Sequence, residues 1–160
     1  MMRLEKLIPL AILGVCVGAL AMAFTAQHVF NLEPCILCIY QRIPYAAGGV
    51  LAMVVLAAPL PPALRAGLVA LCGIGFLGGA AVAFYHVGVE QHWWISSCGG
   101  TPPTAMTLQE MLDQAQVKPR RSCDDVNWSF LGLSMATYNL PFSLAMAVFA
   151  FAGAWTMRRA

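Results

Sequence analysis

A pair of cysteines separated by two residues is the feature of this sequence that most directly suggests chemistry. Cys35 and Cys38 stand at the start of a long apolar segment, and Arg42 follows shortly after Cys38. A Cys-x-x-Cys spacing brings two thiols close enough to form a disulfide or to share a metal ion. A helix N-terminus stabilises negative charge and so lowers the pKa of a thiol placed there. If the chain is helical from about residue 37, Cys38 and Arg42 share one helix face, and a Cys38 thiolate would have a fixed cation beside it.

The composition indicates a membrane protein. Of the 160 residues, 60% are hydrophobic and only 10% are charged, whereas an ordinary soluble domain has about 25% charged residues. Several uncharged stretches are long enough to cross a bilayer, which needs about 20 residues. The formal net charge is only +2 and no basic cluster indicates nucleic acid, so we expect no nucleic-acid partner.

The apolar stretches predict an all-α integral membrane protein, a bundle of four transmembrane helices formed by one membrane domain over residues 1–160. The predicted helices cover about residues 7–26, 38–58, 66–89 and 138–157. Two outer loops, at about 27–37 and 90–137, and one turn at about 59–65 connect them. A cleaved signal peptide is the competing interpretation of the first stretch, although its apolar run is longer than the usual ~7–15 residues of a signal core.

Two local patterns refine this arrangement. Pro44 lies inside the second predicted helix, so that helix either kinks there or begins its regular part there. In the second outer loop, Thr107 to Glu110 form a capping-box pattern, and apolar residues then recur at helical spacing up to Ala115. This pattern predicts a short amphipathic helix that lies on the membrane surface, covers the cysteines, or packs on its own loop.

Basic residues orient the predicted bundle. Four spans place both chain termini on one side of the membrane and both cysteine-bearing loops on the other. The terminal side carries the basic residues that flank the spans: Arg3, Lys6, Arg65, Arg158 and Arg159. Because such residues accumulate in cytoplasmic segments, that side is predicted to be the cytoplasm. The outer compartment, where disulfides persist, then receives four cysteines: Cys35, Cys38, Cys98 and Cys123.

Two cysteine pairs on one outer face allow three interpretations. They could form two structural disulfides, four thiolate ligands of a zinc ion, or a relay of thiol–disulfide exchange. Zinc is the weakest interpretation, because the second pair is not Cys-x-x-Cys and thiolates tend to be oxidised in such a compartment. A relay needs an electron acceptor, and a thiol pair beside the bilayer is well placed to meet a lipid-soluble quinone. Cys38 could donate to the quinone ring while Arg42 stabilises charge on its oxygen.

The chain resembles the DsbB family, the bacterial inner-membrane oxidases that re-oxidise the periplasmic disulfide donor DsbA. The likeness covers essentially the whole chain. It is carried by the run Pro34-Cys35-Ile36-Leu37-Cys38-Ile39-Tyr40-Gln41-Arg42, by His86 ahead of Cys98, and by Cys123 followed by Trp128-Ser129-Phe130-Leu131-Gly132-Leu133-Ser134-Met135. The DsbA–DsbB–quinone system keeps the bacterial periplasm oxidising.

The resemblance implies a route for electrons. Reduced DsbA would attack a Cys98–Cys123 disulfide, and Cys98 would be held in the mixed disulfide. Cys123 would then exchange with a Cys35–Cys38 disulfide by pairing transiently with Cys35. That exchange frees Cys38 as the thiolate that meets the quinone. The result would be disulfide formation in periplasmic proteins, by an enzyme in the inner membrane with both termini in the cytoplasm.

The resemblance also implies a quinone site without a metal. Arg42 matches the family's quinone-site arginine, and His86 matches a histidine that the family places near the quinone. Glu90 stands where a better-known relative has glutamine. Arg42 could instead extend to the lipid headgroups, and His86 could be a packing residue. Ubiquinone and menaquinone both remain open as acceptors. The alternative functions are a paralogue that serves a different thioredoxin-like partner and a non-enzymatic scaffold with two structural disulfides.

Overall fold

Five α-helices and one β-hairpin form the described part of the chain. The computed structural model describes residues 4–94, 98, 122–126 and 128–159. The helices are α1 (Leu4–His28), α2 (Ile36–Tyr40), α3 (Ile43–Ala57), α4 (Pro62–Glu90) and α5 (Met135–Arg159), and the strands are β1 (Ser129–Phe130) and β2 (Leu133–Ser134). The amphipathic helix predicted in the second outer loop lies outside the described residues.

Four helical segments of the described chain are long and apolar enough to cross a membrane. They are Glu5–His28, Ile36–Ala57, Pro62–Glu90 and Met135–Arg159, and the second of them comprises α2 and α3. Large apolar side chains such as Val17, Met22 and Val148 remain exposed on their outer surfaces, as lipid-facing residues do. The predicted fold class, an all-α bundle of four membrane spans, is confirmed.

Small residues allow the spans to pack closely. α4 packs along α5, and α3 packs against both α1 and α4. At Gly73 a Cβ atom would lie 3.0 Å from the Phe151 ring, and at Gly153 it would lie 2.6 Å from Cγ2 of Ile8. Glycine at these positions therefore brings neighbouring backbones together, the usual basis of helix association in membranes.

The ends of the helices establish which segments share a side of the bundle. Arg65, at the start of α4, pairs with Glu5 at the start of α1, with N and O atoms 3.5 Å apart. The contact between Gly153 and Ile8 places the final part of α5 beside the same end. Consequently both ends of the described chain lie at one end of the bundle, and the cysteines that precede α2 and follow α4 lie at the other.

The second span is broken between α2 and α3. The last turn of α2 tightens, because the amide of Arg42 bonds to the carbonyl of Ile39 at 3.0 Å. α3 starts at Ile43 with Pro44 in its first turn, where the missing N–H of proline is tolerated. α3 is therefore a new helix, the second of the two outcomes considered for Pro44, and Arg42 stands in the turn that follows α2 rather than within α2. Pro44 is the physical reason, because it cannot continue the hydrogen-bond ladder of α2.

A β-hairpin with a two-residue turn directly precedes α5, and it was not predicted from the sequence. Ser129 pairs with Ser134, and Phe130 with Leu133. Leu131 and Gly132 connect the strands with φ values of 50° and 80°, as a type I′ turn requires. The Ser134 hydroxyl then accepts the amide of Thr137 at 3.1 Å and so caps the N-terminus of α5.

Candidate redox site

Cys35 and Cys38 meet at the start of α2. Cys35 is the N-cap residue of this helix, and its sulfur accepts the backbone N–H of Cys38 at 3.3 Å. The two Sγ atoms are 3.0 Å apart and share a hydrogen bond. Cys35 is only 4% exposed, whereas Cys38 is partly exposed. A disulfide bond is about 2.05 Å long, so a movement of about 1 Å would join the pair.

His86 approaches this pair from α4. Its Nε2 atom lies 3.5 Å from Sγ of Cys35 and 3.7 Å from Oε1 of Glu90, one turn further along the same helix. Both side chains are 5% exposed, and the Glu90 carboxylate accepts the hydroxyl of Ser134. Glu90, the last residue of the third span, is therefore a buried neighbour of the site.

These contacts favour the thiolate form of Cys35, which lies outside the membrane-spanning segments. The hydrogen bond with the Cys38 thiol lowers its pKa most, and burial opposes this effect. The His86 ring and the Cys38 backbone N–H lower the pKa further, and the net change is from 9.0 to about 4. Reduced Cys35 is thus a thiolate at neutral pH. The thiolate is the reactive form in disulfide exchange, and thiols of low pKa are the better leaving groups.

The second cysteine pair packs against the first. Cys98 and Cys123 form a disulfide with Cα atoms 5.8 Å apart. Cys123 is fully buried, and it shares an apolar cluster with Cys35, Leu37 and Val89. Cys38 and Cys98 pack against the same cluster. The described structure therefore brings all four cysteines named in the sequence analysis into one site.

Arg42 lies on the side of α1. Its Nη1 atom donates to Oε1 of Gln27 at 2.6 Å, and its guanidinium carbon lies 5.3 Å from the centre of the Phe24 ring. It also interacts electrostatically with Cys38. Arg42 is half-buried and held by side chains of the bundle, so it is more constrained than an arginine that extends freely to the headgroups.

A group of polar residues that the sequence analysis did not single out surrounds the site. Gln41 bonds to His86 and to Asn139, and Asn139 in turn bonds to Tyr45 and Ser143. A signal for this group was present, because Asn139 and Ser143 stand one turn apart within a largely apolar span. Polar residues in such positions face the interior of the bundle.

The same geometry bears on metal binding. Within the described residues, the ligand atoms of Cys35, Cys38 and His86 lie within 4.8 Å of one another, close enough to hold a metal ion. The four-thiolate zinc set considered from the sequence is a different arrangement. Cys98 and Cys123 are joined to each other, and a disulfide sulfur is not a thiolate ligand.

Comparison with known proteins identifies the family. The family model described as Disulfide bond formation protein DsbB matches residues 5–153. The chain belongs to the DsbB family. Among curated proteins of that name, the protein of Xanthomonas axonopodis pv. citri is 32% identical over 153 residues, which cover 90% of this chain and 87% of the relative. The protein of Acinetobacter baumannii is 32% identical over 148 residues, with 86% and 82% covered. No solved structure matches the chain.

DsbB-family membership confirms the resemblance inferred from the cysteine motifs. It makes the chain a multi-pass membrane protein and an oxidoreductase of disulfide bond formation. The family assignment does not give the individual roles of the four cysteines, Arg42 and His86. Those roles have to be inferred from the geometry of the site.

Proposed function

We propose that this protein is a thiol:quinone oxidoreductase that re-oxidises a DsbA-like, thioredoxin-fold protein in the bacterial periplasm. The observation that carries the proposal is the packing of the Cys98–Cys123 disulfide against Cys35 in one cluster. Two structural disulfides would have no need to touch, whereas a relay requires that one pair can reach the other.

The proposed relay begins at the loop disulfide. One thiolate of the reduced partner attacks Cys98, which breaks the Cys98–Cys123 bond and releases Cys123 as a thiolate. The second thiolate of the partner then attacks the mixed disulfide, so the partner leaves oxidised and Cys98 becomes a thiol. Two electrons have now passed from the partner to this pair of cysteines.

The electrons then move to the pair at α2. Cys123 attacks Cys35 of a Cys35–Cys38 disulfide and displaces Cys38. Cys98 next attacks Cys123, which restores the loop disulfide and displaces Cys35 as the leaving group. The hydrogen bonds of Cys35 to His86 and to the Cys38 amide favour this last step, because they stabilise the departing thiolate.

Residues at the start of the second span fit a quinone acceptor. Arg42 has five N–H donors, of which one is directed to Gln27, so the guanidinium retains donors for a carbonyl oxygen. Ile39 and Ile43 next to it are exposed apolar side chains that suit a lipid-soluble ring. A quinone bound there would accept two electrons and two protons and leave as quinol. The chain's own contribution is to bring Cys38 to the acceptor, to hold Arg42 at the developing negative charge, and to re-form the Cys35–Cys38 disulfide.

The proposed location is the inner membrane, with both termini in the cytoplasm and the cysteines in the periplasm. The described ends of the chain share one end of the bundle with Arg65, and the positive-inside rule supports a cytoplasmic position for that end. The site would then face the compartment in which disulfides form.

Quinone turnover tests the proposal. Purified protein in detergent is mixed with a reduced DsbA-like donor and a soluble ubiquinone or menaquinone analogue, and loss of quinone is followed by absorbance. We expect turnover in the wild type, its abolition in Cys38→Ser, and its retention in Cys72→Ala. The last variant is a matched control, because Cys72 is a buried thiol of the bundle core, away from the site.

Other outcomes would point elsewhere. Retention of turnover in Cys38→Ser would refute the relay. An absence of turnover with every quinone, together with disulfides that resist mild reductant, would support the non-enzymatic scaffold. Turnover only with a thioredoxin-fold donor other than DsbA would identify a paralogue with a different partner.

A further inference from the structure

A continuous series of hydrogen bonds leads from Cys35 into the centre of the bundle. Nε2 of His86 faces Sγ of Cys35 at 3.5 Å, and its Nδ1 lies 2.8 Å from Nε2 of Gln41. Oε1 of Gln41 accepts from Nδ2 of Asn139 at 2.6 Å, and Oδ1 of Asn139 accepts from the Tyr45 hydroxyl at 2.6 Å. The series joins α4, the turn between α2 and α3, α5 and α3.

The acceptors around His86 determine which atom donates in each hydrogen bond of this series. Nε2 faces both the Cys35 sulfur and a carboxylate oxygen of Glu90, and both of these groups accept hydrogen bonds. The proton is therefore favoured on Nε2. In the neutral ring Nδ1 is then an acceptor, and the amide nitrogen of Gln41 is the donor that it meets. The amide oxygens of Gln41 and Asn139 accept in turn, and the Tyr45 hydroxyl donates at the end of the series.

Burial makes the arrangement specific. His86, Gln41 and Tyr45 are 4%, 7% and 5% exposed, and an unpaired polar group at such a depth is costly. Gln41 joins His86 to Asn139 through both ends of its amide, and the Tyr45 hydroxyl, which also lies 3.0 Å from Oγ of Ser143, holds Asn139 from the other side. Among the described residues, the titratable groups that face His86 are Cys35, Cys38 and Glu90. α5 contributes only the uncharged side chain of Asn139 to the series.

We propose that Gln41, Asn139 and Tyr45 are positioning residues that orient the His86 ring so that its Nε2–H faces Sγ of Cys35. None of the three touches a reacting sulfur, so they act through His86 and are not catalytic residues. The inference rests on the proposed exchange role of Cys35, but the orientation of the ring can be measured without turnover.

The first test is the protonation of His86 in the full-length protein. Histidine labelled with ¹⁵N is observed by NMR in detergent, and the His86 signals are assigned with a His86→Leu variant. We expect the wild type to carry a proton on Nε2 at neutral pH, and Gln41→Leu to show a mixture of Nε2–H and Nδ1–H forms. A wild-type ring without a proton on Nε2 would overturn the inference even if no variant folds.

The second test separates positioning from general stability. The reduced protein is alkylated with iodoacetamide at several pH values, and the modification of Cys35 is measured by mass spectrometry. In Gln41→Leu the midpoint of the alkylation curve should move toward that of His86→Leu. In Gln41→Asn, which keeps an amide N–H donor on a side chain one methylene shorter, it should lie closer to the wild type than in Gln41→Leu.

A matched control is Thr156→Val, which removes a hydroxyl from the far end of α5, where it bonds only to the Gly153 carbonyl among the described contacts. Its curve should superimpose on that of the wild type. An unchanged midpoint in Gln41→Leu, or a change of equal size in Thr156→Val, would refute the positioning role. Quinone turnover is not needed for either test, so their failure is distinguishable from failure of the proposed function.

Discussion

Replacing His86 with leucine should shift the ionisation of Cys35 to higher pH. The wild-type thiolate receives a hydrogen bond from the imidazole at 3.5 Å and from the Cys38 amide at 3.3 Å. Leucine fills a similar volume and cannot donate, so the thiolate loses one of its stabilising partners while the Cys38 contacts remain. The thiol form of Cys35 is then favoured over a wider range of pH.

The size of the shift follows from the energy of that contact. A hydrogen bond to a charged group contributes about 1.5–3 kcal/mol, and one pKa unit corresponds to about 1.4 kcal/mol. The pKa of Cys35 should therefore rise from about 4 to about 5–6 in the variant. At pH 5 the thiolate fraction of Cys35 would fall from about 90% in the wild type to between about 50% and 10% in the variant. At pH 8 Cys35 would be almost fully ionised in both proteins.

Alkylation of the reduced full-length protein measures this directly. Short exposures to iodoacetamide between pH 3.5 and 8 are quenched and digested, and fragment ions separate modification at Cys35 from modification at Cys38. The acid limb of the rate curve should move to higher pH by the stated amount, and both curves should be level by pH 8, where Cys35 is ionised in each protein. His92→Asn is the control, since it removes an exposed imidazole at a φ of 58° that asparagine tolerates. If the curves of His86→Leu and the wild type coincide at low pH, the contact between His86 and Cys35 does not stabilise the thiolate and the reasoning is wrong.

Two further predictions concern packing and the proposed quinone site. Gly153→Ala should destabilise the protein by about 1–3 kcal/mol, because its Cβ would lie 2.6 Å from a methyl group of the buried Ile8. In the control Gly18→Ala the new Cβ has nothing within 4 Å, so the melting temperature in detergent should not fall. An equal fall in melting temperature in both variants would contradict the packing argument. Gln27→Leu removes the acceptor that holds Arg42, so the KM for a soluble quinone should rise about tenfold. The control Gln91→Leu, at an exposed position, should leave the KM unchanged. An unaltered KM in Gln27→Leu would show that this hydrogen bond does not position Arg42 for quinone.

The membrane helices could be predicted from the sequence because their cause is local. An uncharged stretch of about 20 residues has to satisfy its backbone hydrogen bonds internally in a bilayer, and a helix does this. Pro44 likewise acts within its own turn, so the sequence identified the position of the break in the second span. It did not decide between a kink and a new helix start, and the structure has a new helix start at Ile43.

The partners of the site residues could not be predicted because they depend on how the helices are rotated against one another. Glu90 and Ser134 are separated by 44 positions in the chain, and only the packing of α4 on α5 brings them together. Gln41 follows an exposed tyrosine and precedes Arg42, and nothing in that order indicates that its amide faces inward. The hairpin was missed for another reason, because Leu131 adopts a positive φ that leucine rarely takes.

The two-residue turn between α2 and α3 links the site to the assembly of the whole bundle. Gln41 reaches inward to His86 on α4 and Asn139 on α5, while its neighbour Arg42 reaches Gln27 on α1. Each span therefore supplies a side chain without which some part of the site loses its partner. A folding intermediate in which α4 or α5 has not yet packed would carry Cys35 and Cys38 without His86 or without the residue that holds Gln41. The full set of contacts at the site therefore forms only when the bundle is complete.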